Sequence, residues 1–179
     1  MSTTPSTTPP PAPVSSSAVG EGMKAAFRHH PAGVAIISAM TDHGPSGLTA
    51  SSVASVAIDP AAIMFSVTRA TGSAGAILEA DSFIVHLIDA KHADLAQNFA
   101  VSGAERFTEV QGWTTLETGE PHLPSARVAL RCQTLHTVTV GSSVVVIAEV
   151  VEVLEGTRGE PVVYIDRAFH GVNVGPGAA

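Results

Sequence analysis

The chain has 179 residues and a mass of 18.2 kDa, enough for one domain or at most two small ones. Its formal net charge of -7 excludes a protein that binds nucleic acid through clustered Lys and Arg side chains. The single cysteine, Cys132, excludes a disulfide framework and any cysteine-rich metal site.

The two ends of the sequence differ in composition from the part between them. Residues 1–17 are almost all Ser, Thr or Pro and cannot bury enough apolar surface to offset their ordering entropy, so we expect a disordered tail. Residues 18–174 are expected to form one folded domain, and residues 175–179 a frayed end. The sequence has neither a membrane-length apolar run nor a signal-peptide pattern, so we expect a cytoplasmic protein that does not bind membranes.

Short apolar, β-branched segments alternate with turn residues between these ends. Pro31 ends the first predicted helix, Asp89 is a suitable N-cap for a later one, and Gly141-Ser142 joins two long strands as a hairpin. In chain order, the predicted elements are a helix over residues 23–30, strands over 33–40, 48–58 and 61–67, a helix over 72–80, a strand over 82–88, a helix over 90–101, hairpin strands over 127–140 and 143–154, and a last strand over 162–165.

The count is about seven strands and three short helices. The strands do not alternate regularly with helices, which argues against a doubly wound parallel sheet. The pattern predicts a mainly β protein, built as an antiparallel barrel with a few short covering helices.

Two segments rich in hydroxyl groups are candidate binding sites. Residues 47–52 place Thr49, Ser51 and Ser52 at a strand, where hydroxyls can donate to phosphate or carbonyl oxygens; an ordinary polar sheet edge is the alternative. Residues 66–73 end a strand and begin a helix near Ser73, with Arg69 adding a positive charge. This second segment suits an anion, although Ser73 as a plain helix cap explains it equally well.

Other kinds of site have little support. The eight histidines are dispersed, with no His-x-x-x-His spacing, so no metal site is expected. His86 lies in the middle of a predicted strand and is interpreted as a core or interface residue. No Gly-x-Ser-x-Gly elbow supports a serine hydrolase. Composition and spacing alone therefore indicate a β-rich ligand-binding domain.

The order of several motifs resembles the flavin reductase-like family of FMN-binding split barrels. The similar segments run unbroken over about residues 23–172 and read FRHHPAGVAIIS at 27–38, GLTASSVASVAIDP at 47–60, FSVT at 65–68, FIVHL at 83–87, ERF at 105–107, PVVY at 161–164 and RAF at 167–169. The resemblance implies a split antiparallel β-barrel that binds FMN or FAD and forms a homodimer. It also implies the small reductase component of a two-component monooxygenase, which takes hydride from NADH or NADPH and releases reduced flavin to a partner oxygenase.

The resemblance also implies which residues bind the cofactors. Flavin-binding positions carried over from the family motifs are Thr49, Ala50, Ser51, Ser52, Ser66, Val67, Thr68, Ser73, Asn98, Phe99, Arg106 and Phe107. Positions on the nicotinamide side are Pro45, Gly47 and Tyr164. No protein acid or base is required, because the flavin carries the chemistry and the protein supplies orientation and electrostatics.

One hairpin departs from the family pattern. Many of these reductases have Gly-Asp-His where this chain has Gly141-Ser142-Ser143, and that histidine is associated with the nicotinamide. We therefore expect a working reductase with a high KM for NADH. The alternatives are a flavin-binding electron carrier or flavin store without efficient NAD(P)H turnover, and an oxidase resembling the pyridoxamine phosphate oxidases, which share the barrel. The serine-rich strand and the lack of a basic phosphate cluster favour the reductase and the carrier.

Overall fold

The computed structural model describes residues 16–68 and 70–173, in two compact units that divide between His30 and Pro31. In the first unit, helix α1 spans Ser16–Arg28. It begins seven residues before the predicted helix and includes two residues assigned to the tail. No residue of α1 is buried, and Val19, Met23 and Phe27 form an exposed apolar stripe at four-residue spacing. The remaining tail residues, and residues 174–179, lie outside the described part, so their disorder stays a prediction.

The second unit is mainly β. Its strands are β1 (Ala32–Gly33), β2 (Ala35–Thr41), β3 (Gly44–Ala50), β4 (Ala54–Ile58), β5 (Ala61–Thr68), β6 (Phe83–Leu87), β7 (Thr114–Thr115), β8 (Pro121–His122), β9 (Val128–Val140), β10 (Ser143–Glu155), β11 (Val162–Ile165) and β12 (Ala168–Gly171). Its helices are α2 (Ser73–Glu79) and α3 (Ala93–Ala100), with short 3-10 turns at Ala90–His92 and Glu109–Gln111. No helix among the described residues is long and apolar enough to cross a membrane.

Seven strands form one antiparallel sheet in the order β3-β2-β6-β9-β10-β5-β4. The two edge strands, β3 and β4, are separated by only residues 51–53, so the chain holds the edges close together and the sheet must curl into a barrel. The hydroxyl of Ser52 donates to the carbonyl of Ser66 on β5 (3.2 Å) and accepts from its N–H (2.9 Å). We call this junction of residues 51–53 with Ser66 the seam. The predicted split antiparallel barrel with a few helices is confirmed.

Strand β2 has both faces buried, which explains its continuous apolar run. Ala35, Ile37 and Ala39 pack inside the barrel, where Phe65 and Phe83 meet edge to face at 5.5 Å. On the opposite face, β2 packs in a second cluster that contains residues of α3 and of the segment after it. This second cluster anchors α3 against the barrel and so positions the wall of the site.

Beyond the start of α1, the main differences from the predicted elements are three. The strand predicted over 48–58 is two strands, because the chain leaves one sheet edge at Ala50 and joins the other at Ala54. The helix predicted over 90–101 begins with a 3-10 turn. Strand β12 was missed, since its turn is formed by Asp166 and Arg167 in left-handed conformations (φ 52° and 66°) that usually signal glycine or asparagine.

Candidate functional site

A cavity of about 610 Å³, here called the first cavity, opens beside the seam. The cavity lies among the ends of β3 and β5, the segment that leads into α2, and the end of α3. Its volume suits a ligand of nucleotide size. Ten of the twelve residues predicted to bind flavin line it: Thr49, Ala50, Ser51, Ser52, Ser66, Val67, Thr68, Ser73, Phe99 and Arg106. Leu48, Thr71, Gly72, Ala74, Ala100 and Ser102 complete the lining and were not predicted.

The hydroxyl groups of this lining differ in their availability to a ligand. Thr49 donates to the carbonyl of Ala96 at 2.6 Å, which ties β3 to α3. Ser52 is occupied at the seam. Five other hydroxyl groups form no hydrogen bond to a described residue and remain free for a ligand. They belong to Ser51, Ser66, Thr68, Thr71 and Ser102.

Arg106 is the only ionisable side chain among the described residues that line the first cavity. Its Nη1 donates to the carbonyl of Gly47 (2.7 Å) and to the hydroxyl of Ser73 (2.9 Å), and its Nη2 and Nε donate to the carbonyls of Val101 (2.7 Å) and Asn98 (3.4 Å). Four of its five N–H groups are therefore used, which leaves one for a ligand. Burial lowers the pKa of Arg106, but the group stays charged at neutral pH.

Aromatic rings support the wall of the first cavity. The guanidinium carbon of Arg106 lies 5.4 Å from the centre of the Phe99 ring. Behind Phe99, the rings of Phe107 and Trp113 follow at 5.1 and 5.4 Å. Phe107 therefore supports the wall without lining the cavity. The side chain of Asn98 is exposed and does not line the cavity. The backbone carbonyl of Asn98 accepts a hydrogen bond from Arg106 instead.

A smaller second cavity of about 220 Å³ shares Thr49, Ser51 and Ala100 with the first. Its other lining residues are Val34, Gln97, Tyr164 and Phe169. The rings of Tyr164 and Phe169 pack at 5.1 Å, because β11 and β12 place them directly opposite each other. Of the three residues predicted on the nicotinamide side, Tyr164 lines this cavity, whereas Pro45 and Gly47 line neither cavity.

Gly47 has a packing role instead. A Cβ added there would lie 2.7 Å from Cε1 of Phe99 and 2.8 Å from the carbonyl oxygen of Ile37. Both distances are shorter than real contacts allow, so only glycine lets α3 and the Phe99 ring approach β3 this closely. Pro45 lies on β3 opposite Met40 and is exposed.

These features match one family of proteins. The family model described as flavin reductase like domain matches residues 27–173. The chain belongs to this family. The NADH:FMN oxidoreductase of Rhodococcus qingshengii is 35% identical over 130 residues, which cover 73% of this chain and 68% of the relative. The reductase component of 4-nitrophenol 4-monooxygenase/4-nitrocatechol 2-monooxygenase from Rhodococcus opacus is 32% identical over 150 residues, covering 82% and 80%.

A solved structure agrees with the family assignment. The flavin reductase domain protein from Arthrobacter sp. FB24 superposes with a TM-score of 0.80 at 29% identity, covering 89% of this chain and 99% of that chain. The resemblance inferred from the sequence motifs is therefore confirmed for both the family and its fold.

The hairpin that departs from the family pattern lies near the first cavity. Ser143 is paired with Thr68, which lines that cavity, although none of residues 141–143 does so. Gly141 has a φ of 61°, which fits its place in a tight turn. The structure thus places the hairpin next to the cavity wall in this member of the family.

His86 is a core residue, as its position in the strand predicted. Its Nδ1 lies 3.0 Å from the carbonyl of Ile36, and its Nε2 accepts from the N–H of Leu123 (3.1 Å). These partners assign the proton to Nδ1. Burial lowers the pKa of His86 to about 3, so the ring is neutral at physiological pH and serves to join two segments of backbone.

The pair Ser125 and His92 has the wrong proton placement for a hydrolase. His92 accepts at Nδ1 from the N–H of Asp89 (3.2 Å), and its Nε2 lies 3.0 Å from the hydroxyl of Ser125. The neutral ring therefore carries its proton on Nε2, facing the serine. A general base needs a free lone pair at that position, so this pair does not activate a nucleophile. No group of three metal-binding side chains occurs among residues 16–68 and 70–173.

Proposed function

We propose that this chain is an NADH-dependent flavin reductase that binds FMN in the first cavity and oxidises NADH. The observation that carries the proposal is the cavity itself: it combines free hydroxyls, one arginine and an aromatic wall within a flavin reductase-like barrel. Relatives that are 35% and 30% identical are named NADH:FMN oxidoreductase and FMN reductase (NADH) RutF, which supports this choice of cofactor and reductant.

The lining suits the three parts of a flavin mononucleotide. Ser73 and Arg106, with the free hydroxyl of Thr71, would hold the phosphate, because together they offer donors and one positive charge. The hydroxyls of Ser66 and Thr68 would bind the ribityl chain. Residues 49–52 would lie along the isoalloxazine ring, with Phe99 near its outer part. The ten predicted flavin-binding residues that line the first cavity are retained as a proposal, whereas Asn98 and Phe107 are not. Arg69 falls outside the described residues.

The chemistry would come from the cofactor rather than from an acid or base of the chain. A flavin held by this lining would supply the hydride-accepting chemistry that converts NADH to NAD⁺, with the accompanying proton taken from solvent. The described lining contains no carboxylate, histidine or cysteine, so its contribution is to bind and orient. This explains how a flavin reductase can function without a protein proton donor.

Two measurements test the proposal. FMN added to purified protein should quench the fluorescence of Trp113, the only tryptophan in the sequence, because that ring contacts Phe99. NADH should then be oxidised under air, followed at 340 nm, with NADPH as the comparison. Protein that binds FMN without oxidising NADH would support a flavin carrier, whereas protein that binds no flavin would contradict the proposal altogether.

We also propose that the chain is a homodimer with its interface beside the first cavity. Residues directly opposite each other on antiparallel strands share a face, and here the register aligns Val138 with Val145 and Ser66. Two residues along β10, on the same face of the sheet, Ile147 lies opposite Met64. Val138, Val140 and Met64 are 51%, 63% and 40% exposed, an apolar surface typical of protein interfaces.

The reduced flavin would pass to a partner monooxygenase, in the cytoplasm where NADH is available. The Rhodococcus opacus relative, named as the reductase component of 4-nitrophenol 4-monooxygenase/4-nitrocatechol 2-monooxygenase, supports this role. A flavin-dependent monooxygenase mixed with this chain, FMN and NADH should form its product, and should not do so when the chain is left out. Cell fractionation tests the location.

A further inference from the structure

The second cavity has the size and composition of a site for one aromatic ring. Its volume of about 220 Å³ is below that of sites for whole cofactors. Val34 and the packed rings of Tyr164 and Phe169 supply apolar walls, and none of the described residues that line the cavity is charged. The shared lining of Thr49, Ser51 and Ala100 makes it a direct neighbour of the first cavity.

Gln97 supplies a free amide at this second cavity. Helix α3 turns Ala96 and Phe99 into the core, which leaves Gln97 and Ala100 on the side that faces the cavity. The side-chain amide of Gln97 forms no hydrogen bond to a described residue, although it offers two donors and one acceptor. Thr49, by contrast, has its hydroxyl occupied by the carbonyl of Ala96. Ser51 and Tyr164 also bring unpaired hydroxyls to the described lining, but Gln97 alone among these three offers the amide N–H donors and carbonyl acceptor that complement another amide.

We propose that the second cavity binds the dihydronicotinamide ring of NADH and that Gln97 selects it by pairing with the carboxamide. The inference rests on the proposed function and adds a specificity-determining residue to it. A carboxamide presents the donors and acceptor that complement the Gln97 amide, while the flat ring packs against Tyr164 and Phe169. The shared wall then places the ring next to the flavin, as hydride transfer between the two requires.

The test combines a substitution of Gln97 with a change in the ligand. Gln97→Met keeps the length of the side chain but removes its hydrogen bonds, and Asp94→Asn changes an exposed residue of the same helix as a control. Each protein is assayed with NADH and with reduced 3-acetylpyridine adenine dinucleotide, in which a methyl group replaces the carboxamide NH₂. Calorimetry with NAD⁺ and titration with FMN give the two affinities independently of turnover.

We expect Gln97→Met to raise the KM for NADH and the Kd for NAD⁺ about tenfold, the effect of one to two neutral hydrogen bonds. The affinity for FMN should not change. The wild-type protein and Asp94→Asn should both favour NADH over the analogue, whereas Gln97→Met should lose most of this preference, because the two changes remove the same interaction.

Two results would overturn the inference alone. A weaker affinity for FMN in Gln97→Met, with the affinity for NAD⁺ unchanged, would mean that the second cavity holds part of the flavin. An undiminished preference for NADH over the analogue would mean that the carboxamide binds elsewhere. A wild-type protein that binds FMN but fails to oxidise NADH would instead overturn the proposed function, and the inference with it.

Discussion

The Nη1 of Arg106 lies 2.9 Å from the hydroxyl oxygen of Ser73, a residue 33 positions earlier in the chain. Because arginine can only donate, Ser73 must accept this hydrogen bond, and its own O–H is left to donate. The pair thus presents a positive charge and an oriented hydroxyl on one wall of the first cavity. An anionic group bound there would meet both.

The first prediction concerns flavin binding by Ser73. Ser73→Ala removes one donor and should weaken FMN binding about tenfold, the effect of one hydrogen bond to a charged group. Ser73→Asp should weaken it further, because its carboxylate faces the phosphate and also neutralises Arg106. Fluorescence titration with FMN measures both. Ser142→Asp, in the exposed hairpin turn, is the control and should bind normally. Equal affinities in all four proteins would place the phosphate elsewhere.

The second prediction concerns the close approach at Gly47. Gly47→Ala should lower the free energy of unfolding by about 1–3 kcal/mol, because the new methyl group meets the fixed carbonyl of Ile37 and the Phe99 ring. A displaced Phe99 should also weaken FMN binding. Urea denaturation and FMN titration provide the measurements. Gly33→Ala is the matched control, since a Cβ there contacts nothing within 4 Å. Unchanged stability in Gly47→Ala would contradict the packing role.

The third prediction concerns the pH dependence contributed by His86. Its pKa falls from 6.5 to about 3 on folding, chiefly through burial. Between these values the unfolded chain binds a proton that the folded chain does not, so this contribution to stability is present above pH 6.5 and is lost as the pH falls towards 3. His86→Asn should be less stable at pH 7.5, because Leu123 loses its acceptor. Its stability should, however, decline less from pH 6.5 to 4.5.

Urea denaturation at several pH values measures the free energy of unfolding of the wild type and of His86→Asn. The pKa of Glu120 falls from 4.5 to about 2: burial alone would raise it, but hydrogen bonds from Ser82, Thr118 and Arg131 outweigh that effect. Glu120 therefore affects stability only below about pH 4.5, outside the chosen range. His92 and His122, whose pKa values are also lowered, titrate in both proteins. Parallel curves for wild type and His86→Asn would refute the assignment to His86.

The fourth prediction concerns the proposed dimer. Val138→Asp should convert the dimer to a monomer at micromolar concentration, because it buries a charge without a partner in an apolar interface. Sedimentation velocity measures the change. Val110→Asp, at a residue that is 95% exposed and outside this surface, should leave the dimer intact. A wild-type protein that sediments as a monomer would contradict the proposed interface.

Local signals in the sequence were sufficient for most of the fold. The β9–β10 hairpin was predictable because two β-branched runs flank Gly141, and the helix limit before Pro31 follows from the geometry of proline. The break between Ala50 and Ala54 was not predictable, because small polar and apolar residues continue across it. It depends on the distant strand β5, to which the second half of the segment pairs.

The same distinction applies to the site. Family motifs identified ten residues of the first cavity, since these lie in segments of recognisable sequence. Neither Gln97 nor Phe169 was predicted to line a site: a glutamine in an amphipathic helix resembles any exposed polar residue, and Phe169, although part of the RAF motif, belongs to the strand that was missed. Only the folding of α3 against β11 and β12 brings these two residues to one cavity.

The seam gives the barrel a weak point beside the first cavity. One hydroxyl group, through two hydrogen bonds between Ser52 and Ser66, joins segments that a backbone ladder joins elsewhere in the sheet. Two such bonds contribute about 1–3 kcal/mol, against about 5–15 kcal/mol for unfolding a whole domain. Breathing at this point should therefore be far more frequent than global unfolding. Opening at the seam would widen the first cavity while the strands elsewhere stay paired, so under the proposed function the rate of flavin release would depend on the hydroxyl of Ser52.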